Sequence, residues 1–330
     1  MTISLRSVGI VGTGSYLPER ILTNQDLERM VDTSDEWIVT RSGIRQRRIA
    51  ADDEATSDLC VKAAERAMQA AGVTARELDL IIVATATPDM LFPSTACLVQ
   101  ERLAACQAAA FDLAAGCSGF VYAVSVATQF IATGVYNTIL VVGGETLSRI
   151  VNWQDRNTCV LFGDGAGAVV LRPVEAGRGV LSLHLGADGQ GGGLLKQPAG
   201  GSRLPASIET VQANLHYIHM QGTEVFKHAV RAMGDSAIVC LNKAGVTVAE
   251  VDWCIPHQAN QRIIDATVKR LGIPPERVYV NLDRYGNVSA ASIPIALDEV
   301  NSQGWIKPDD LVLLVAFGAG LTWGSVLLRW

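Results

Sequence analysis

Several common signatures are missing from this chain of 330 residues. It has seven cysteines, Cys60, Cys97, Cys106, Cys117, Cys159, Cys240 and Cys254, but no C-x-x-C pair and an odd total. That excludes a disulfide framework and a zinc ribbon as its organising principle. Positive charge is not in excess: 27 Lys and Arg against 33 Asp and Glu leave a formal net charge of -6. A nucleic-acid binder would normally be basic, so no nucleic-acid partner is expected. The apolar run "LVLLVAFGAGL" at 311–321 is too short to span a bilayer, and "MTISLRSVGIVGTGSYLPE" shows no signal-peptide core. The expectation is therefore a cytoplasmic protein with no membrane association. His216 and His219 have no carboxylate or thiol beside them in sequence, so no metal site is expected. "GIVGTGSYLP" is a poor dinucleotide fingerprint, because Leu17 takes the third glycine position and Pro18 follows.

With 49% hydrophobic and 18% charged residues, the chain suits a globular protein with a large core. It also repeats itself. "AGVTARELDLIIVATAT" from Ala71 matches "AGVTVAEVDWCIPHQAN" from Ala244, placing Glu77 opposite Glu250 and Asp79 opposite Asp252. "FDLAAGCSGFVYAV" pairs with "LDRYGNVSAASIPIAL", aligning Cys117 with Asn287 after one gap, and "GAVVLRP" pairs with "GSVLLRW". Three matches in one order predict a duplicated α/β unit, with halves at 1–175 and 176–330 meeting near 173–180. Near-continuous apolar strands such as "LDLIIVAT" and "LVLLVAFG" predict sheets covered on both faces.

Duplication would bring corresponding loops together, and these loops carry the candidate chemistry. "CSGFVYAVSVATQFIATG" reads as one helix with Cys117 at its start, where the positive dipole end would lower a thiol pKa. The other six cysteines read as core. His257 in "CIPHQAN" follows a buried strand, where ligand crevices form in α/β units, although a structural histidine would look the same. Asn287 in "RYGNVSAASIP" is either a turn residue or the counterpart of Cys117. "AFGAGLTWG" is either a tight hairpin or a source of oxyanion-binding N–H groups.

Taken together, "DTSDEWIVTRSGIRQRRIA", "AAGCSGF", "FGDGAGAVVL", "PHQANQRII", "LDRYGNVSAASIP" and "AFGAGLTWGS" resemble the β-ketoacyl-[acyl carrier protein] synthase III family over essentially the whole chain. The resemblance implies a thiolase-like fold, two duplicated α/β halves in a five-layered αβαβα sandwich, and a homodimer. It implies decarboxylative condensation of a short acyl-CoA with malonyl-[acyl carrier protein], with no resident cofactor. It assigns catalysis to Cys117, His257 and Asn287, and oxyanion binding to the backbone of Cys117 and Ala319. It further places coenzyme A contacts at Thr33, Trp37, Arg41, Arg156, Gly222, Phe226 and Asn260, and carrier-protein docking at Gln258, Ala259, Asn260, Gln261 and Arg262. Thr223, Tyr285 and Ala319 depart from the residues common at those places. In the helix "QRIIDATVKRLG", Ile264, Val268 and Leu271 form the inward stripe, leaving Arg262 and Lys269 for solvent. The rival readings are a Cys–His–Asn protease, which lacks its usual "CGSCW"-like surroundings, and a non-catalytic scaffold of the same fold.

Overall fold

The computed structural model describes residues 5–330. Strands β1 (Val8–Tyr16), β2 (Leu80–Ala84), β3 (Ala109–Leu113), β4 (Ile139–Thr146) and β5 (Asp164–Pro173) form one sheet in the order β1-β5-β4-β2-β3. Strands β6 (Gly179–Ala187), β7 (Trp253–Pro256), β8 (Leu311–Gly318) and β9 (Thr322–Arg329) form a second, ordered β6-β9-β8-β7. Each sheet thus runs first, last, penultimate, second. The directions agree as well: the first two neighbour pairs are antiparallel and the third is parallel. The fifth strand of the second sheet is reduced to a single parallel bridge between Cys254 and Val278.

The "AGVT" repeats behave alike at atomic detail. Thr74 and Thr247 each cap a short 3-10 turn closed by Glu77 and Glu250 respectively. The Asp79 carboxylate accepts from the N–H groups of Asn137 and Thr138 at the head of β4, and that of Asp252 from Leu311 at the head of β8.

Five layers result. Helix α1 (Thr56–Ala71) covers the outer face of the first sheet, packing Leu59, Ala63 and Ala67 on Ile81, Val83 and Leu140. Alternate residues Leu80, Ile82 and Ala84 point the other way, onto α2 (Gly119–Ala132) and α5 (Ser292–Ser302), which share the middle layer. Helices α3 (Gly222–Ala244) and α4 (Gln261–Leu271) cover the outer face of the second sheet. Because both faces of each sheet are buried, its strands read as apolar runs rather than as alternation. Each fully buried Leu or Ile contributes about 1.5–3 kcal/mol. Among the described residues no helix is long and apolar enough to cross a membrane.

Candidate active site

The chain enters the middle layer twice through similar turns. After β3 a 3-10 turn, Gly116–Ser118, leads into α2; after residue 288 another, Ser289–Ala291, leads into α5. Each turn opens with a positive φ, +52° at Gly116 and +44° at Ser289. By this correspondence Cys117 matches Ala290, and Asn287 lies three residues earlier. The sequence alignment of Cys117 with Asn287 is therefore out of register, although both residues do reach one site. Cys117 also sits one step outside the expected place: it lies in the 3-10 turn, and the α-helix begins at Gly119.

A cavity of about 690 Å³ has Cys117, His257 and Asn287 among its lining residues. Around them stand Trp37, Arg41, Gly222, Phe226, Ala259, Asn260 and Arg262. His257 follows β7 directly. It is pinned by its N–H donating to the Val315 carbonyl at 2.8 Å, and it is 3% exposed. Its Nδ1 lies 2.6 Å from Ser292 Oγ, leaving Nε2 for the cavity. Burial drives its pKa down to about 3, so the ring is neutral at physiological pH. Asn287 is clamped by its N–H to the Leu161 carbonyl at 2.8 Å and by the Gly163 N–H to its own carbonyl at 3.1 Å. Its Oδ1 accepts from the Ser289 N–H at 2.8 Å. The amide oxygen is thereby occupied, and the NH₂ donor is left for the cavity.

The thiol departs from the sequence expectation. Burial pushes Cys117 up to about 11, and the nearby Glu145 carboxylate adds to this; hydrogen bonds from Ser289 and from its own N–H pull the other way. Desolvation outweighs any favour from the helix end, because a thiolate loses water that the turn only partly replaces. The six other cysteines also divide: Cys60, Cys159, Cys240 and Cys254 are buried, whereas Cys97 and Cys106 are exposed rather than core.

"AFGAGLTWG" turns out to be both a hairpin and a neighbour of the thiol. β8 and β9 pair from Gly318↔Thr322 outward. A Cβ on Gly318 would stand 2.5 Å from the Cys117 amide nitrogen, so only glycine admits this approach. Thr322 ties the loops by donating to the carbonyls of Ala115 at 2.8 Å and Ala319 at 3.0 Å, and Ser118 donates back to the Thr322 carbonyl.

At the cavity mouth, the guanidinium groups of Arg41 and Arg156 lie 4.9 and 5.2 Å from the centre of the Trp37 ring. Arg156 itself is held by the Asp32 carbonyl at 2.8 Å, and the buried Thr33 hydroxyl has no partner among the described residues. Neither Thr33 nor Arg156 lines the cavity wall. Within residues 258–262 the structure separates residues that the sequence groups. Gln258 is 1% exposed, and its amide donates to the carbonyls of Pro256 and Tyr279, so its side chain cannot meet a partner. Arg262 is exposed and lies 5.9 Å from the Phe226 ring; Ala259, Asn260 and Gln261 are half-buried.

Sequence reasoning missed three buried residues. Glu145, at the end of β4, accepts from Thr87 Oγ1 at 2.6 Å and from the Ala86 N–H. Arg47, fully buried and without a carboxylate partner among the described residues, donates to the Val160 carbonyl at 2.7 Å and to Asn24 Oδ1 at 2.9 Å. Ser292 supports His257. None lies near Cys117, His257 or Asn287 in sequence except Ser292, and only the fold brings them in.

Comparison with known proteins finds similar sequences and a similar fold. The family model described as "3-Oxoacyl-[acyl-carrier-protein (ACP)] synthase III" matches residues 111–189, and its C-terminal companion matches 241–330. The chain is 61% identical over 328 residues to "Beta-ketoacyl-[acyl-carrier-protein] synthase III" of Symbiobacterium thermophilum, covering 99% of each. It is 60% identical over 324 residues to the protein of that name from Caldanaerobacter subterraneus, covering 98% of each. The solved 3-oxoacyl-[acyl-carrier-protein] synthase III of Aquifex aeolicus superposes with a TM-score of 0.92 at 50% identity, covering 98% of this chain and 100% of that one.

Proposed function

This chain belongs to the 3-oxoacyl-[acyl-carrier-protein] synthase III family, and from that premise we propose that it joins a short acyl-CoA to malonyl-[acyl carrier protein] through an acyl-Cys117 intermediate. It is a condensing acyltransferase with the thiolase-like fold. The observation that carries the residue assignment is the shared cavity, whose wall includes one thiol, a neutral imidazole and an amide whose oxygen is already occupied.

Cys117 Sγ attacks the thioester carbonyl of the primer, the C–S bond to coenzyme A breaks, and the coenzyme leaves as a thiol. The oxyanion is held by the N–H groups of Cys117 and Ala319; one such donor contributes about 2.7–4 kcal/mol elsewhere. Malonyl-carrier protein then loses carbon dioxide, and the electron pair of the broken C–C bond passes into an enolate. His257 Nε2 and Asn287 Nδ2 donate to the enolate oxygen. A neutral imidazole suits this role because it can donate without placing a buried cation. The enolate carbon attacks acyl-Cys117, the C–S bond breaks, and the thiolate recovers a proton. These steps require a thiol, two neutral donors and backbone N–H groups, so the proposal assigns no resident cofactor or metal.

Trp37, Arg41, Asn260, Gly222 and Phe226 are assigned to coenzyme A and its pantetheine arm, supported by their place on the cavity wall. Thr33 and Arg156 are assigned to the outer end of the coenzyme. Arg262, with Ala259, Asn260 and Gln261, receives the carrier protein. A homodimer is part of the proposal, supported by the apolar loop of Met90, Leu91 and Phe92, exposed at 48%, 78% and 85%. The two halves are placed at 1–175 and 176–330, supported by the passage from Pro173 to Gly179 between sheets, and the site of action is the cytoplasm.

The test is intact-mass measurement after incubation with acetyl-CoA. The native protein should gain one acyl group, and Cys117→Ala should gain none while retaining some malonyl-carrier-protein decarboxylation. A full adduct on the alanine variant would move the nucleophile elsewhere.

A further inference from the structure

We propose that Ser292 is a positioning residue that sets the tautomer of His257, making its Nε2 a hydrogen-bond donor in the cavity. The inference rests on the proposed role of His257 as an enolate donor, and it starts from hydrogen-bond accounting. Ser292 Oγ has two partners among the described residues: His257 Nδ1 at 2.6 Å and the Gln258 N–H at 3.3 Å. The second can only donate, which occupies one oxygen lone pair. The hydroxyl carries one proton, and all three residues are buried, with Ser292 and His257 both 3% exposed and Gln258 1% exposed.

Two arrangements are open to the pair. If Nδ1 carried the ring proton, Ser292 Oγ would accept from both Nδ1–H and Gln258, and its own proton would have no acceptor. A buried hydroxyl proton without a partner forfeits a hydrogen bond that water would otherwise supply. If instead Ser292 donates to Nδ1, the hydroxyl proton and the Gln258 N–H both have acceptors, and no buried proton between the three groups is left over. The ring proton then sits on Nε2, the nitrogen turned to the cavity, because the hydrogen bond at one ring nitrogen decides the state of the other. The same arrangement opposes protonation of the ring, since an imidazolium would need Nδ1 to donate toward a hydroxyl that is itself donating.

Ser292 stands at the first position of α5, immediately after the turn of residues 289–291 that begins beyond Asn287. Its side chain is therefore placed by the same turn whose Ser289 N–H fixes the Asn287 amide. One loop sets both donors: Ser289 frees the Asn287 NH₂, and Ser292 puts the His257 proton on Nε2. Two neutral hydrogen-bond donors are then available to one enolate oxygen.

The decisive measurement is ¹⁵N NMR of histidine-labelled native protein, with His257 assigned from His257→Gln. The expected result is an unprotonated Nδ1 and a protonated Nε2; a protonated Nδ1 in the native protein overturns the proposal. Ser292→Ala should then mix the tautomers. It should lower malonyl-carrier-protein decarboxylation and condensation about tenfold to a hundredfold, the scale seen when metal-bound histidines lose a ring-orienting partner. Acylation of Cys117 by acetyl-CoA should be unchanged. Ser292→Thr, which keeps the hydroxyl, should restore both tautomer and rate. A slow Ser292→Ala with an unchanged tautomer would make Ser292 merely structural and overturn the proposal. A shifted tautomer with an unchanged rate would uphold the tautomer role of Ser292 while refuting His257 as the enolate donor, so the two failures are distinguishable. Should Ser292→Ala not fold, the native spectrum decides.

Discussion

At Cys117 opposing influences act on one atom: burial and Glu145 favour the thiol, whereas the Ser289 hydroxyl and the residue's own N–H favour the thiolate. With the balance at about 11, the resting residue is protonated at neutral pH. The rate of its alkylation by iodoacetamide, followed by intact mass, should keep rising past pH 9 without a plateau. Levelling below pH 8 would show that the turn lowers the pKa after all. Asn287 makes the complementary prediction. Asn287→Asp preserves shape, and its near oxygen can still accept from Ser289, but it replaces the free NH₂ donor by an acceptor where enolate charge develops. Condensation should fall about a hundredfold or more, the cost of one lost oxyanion donor plus repulsion, with Cys117 acylation retained. Near-native condensation by this variant would reduce Asn287 to a turn residue.

Elements carry the parts that must approach large substrates. In α4 the buried side chains Ile263, Ile264, Thr267, Val268 and Leu271 hold one face to the core, and Arg262 and Lys269 are exposed as the periodicity implies. The Asn260 side chain caps the helix by accepting from the Arg262 N–H at 2.9 Å, and its amide donates to the Arg41 carbonyl at 3.0 Å. Helix α4 and the helix Asp35–Ser42, which bears Trp37 and Arg41, are thus joined at the mouth. Arg47 reaches the same helix through Asn24, whose amide donates to Asp35 Oδ1 at 2.8 Å. Since the chain as a whole is acidic, the proposed docking of an acidic carrier requires local attraction, and surface charges act mainly on encounter, within about 10 Å at 0.1 M salt. Arg262→Glu should raise the KM for malonyl-carrier protein, more at low than at high salt, while acylation by acetyl-CoA stays near native. Equal losses with both substrates in steady-state kinetics would indicate structural damage, and no loss would put the docking surface elsewhere.

At the scale of the whole molecule, two sheets enclose a middle layer whose helices bring the turns bearing Cys117 and Ser289 together. That enclosure has a consequence for stability. His257 is held near pKa 3 by burial, against 6.5 when free. Below pH 6.5 the unfolded chain takes up a proton that the folded ring refuses, so unfolding gains ground as pH falls from 6.5 toward 3. Urea midpoints measured across that window should decline less steeply in His257→Gln than in the native protein, provided both unfold in one transition. Parallel slopes would show that the ring is not held neutral.

Much of this was legible in the linear chain. Apolar runs mark the strands and the apolar period marks α4, and the Thr–Glu capping and strand-entry aspartates repeat because each half solves the same local problem with the same residues. Cys117, His257 and Asn287 could be picked out because they sit at strand ends and turns, where short-range signals are strong. The true register between the halves was not legible, since it is set by where each chain bends into its 3-10 turn, a choice settled by packing of the middle layer. Nor was the raised pKa of Cys117, the inward turn of Gln258, or the support of His257 by Ser292 and of the site by Glu145 and Arg47. Burial and hydrogen-bond satisfaction depend on what surrounds a side chain from all directions, and only the folded chain supplies those neighbours.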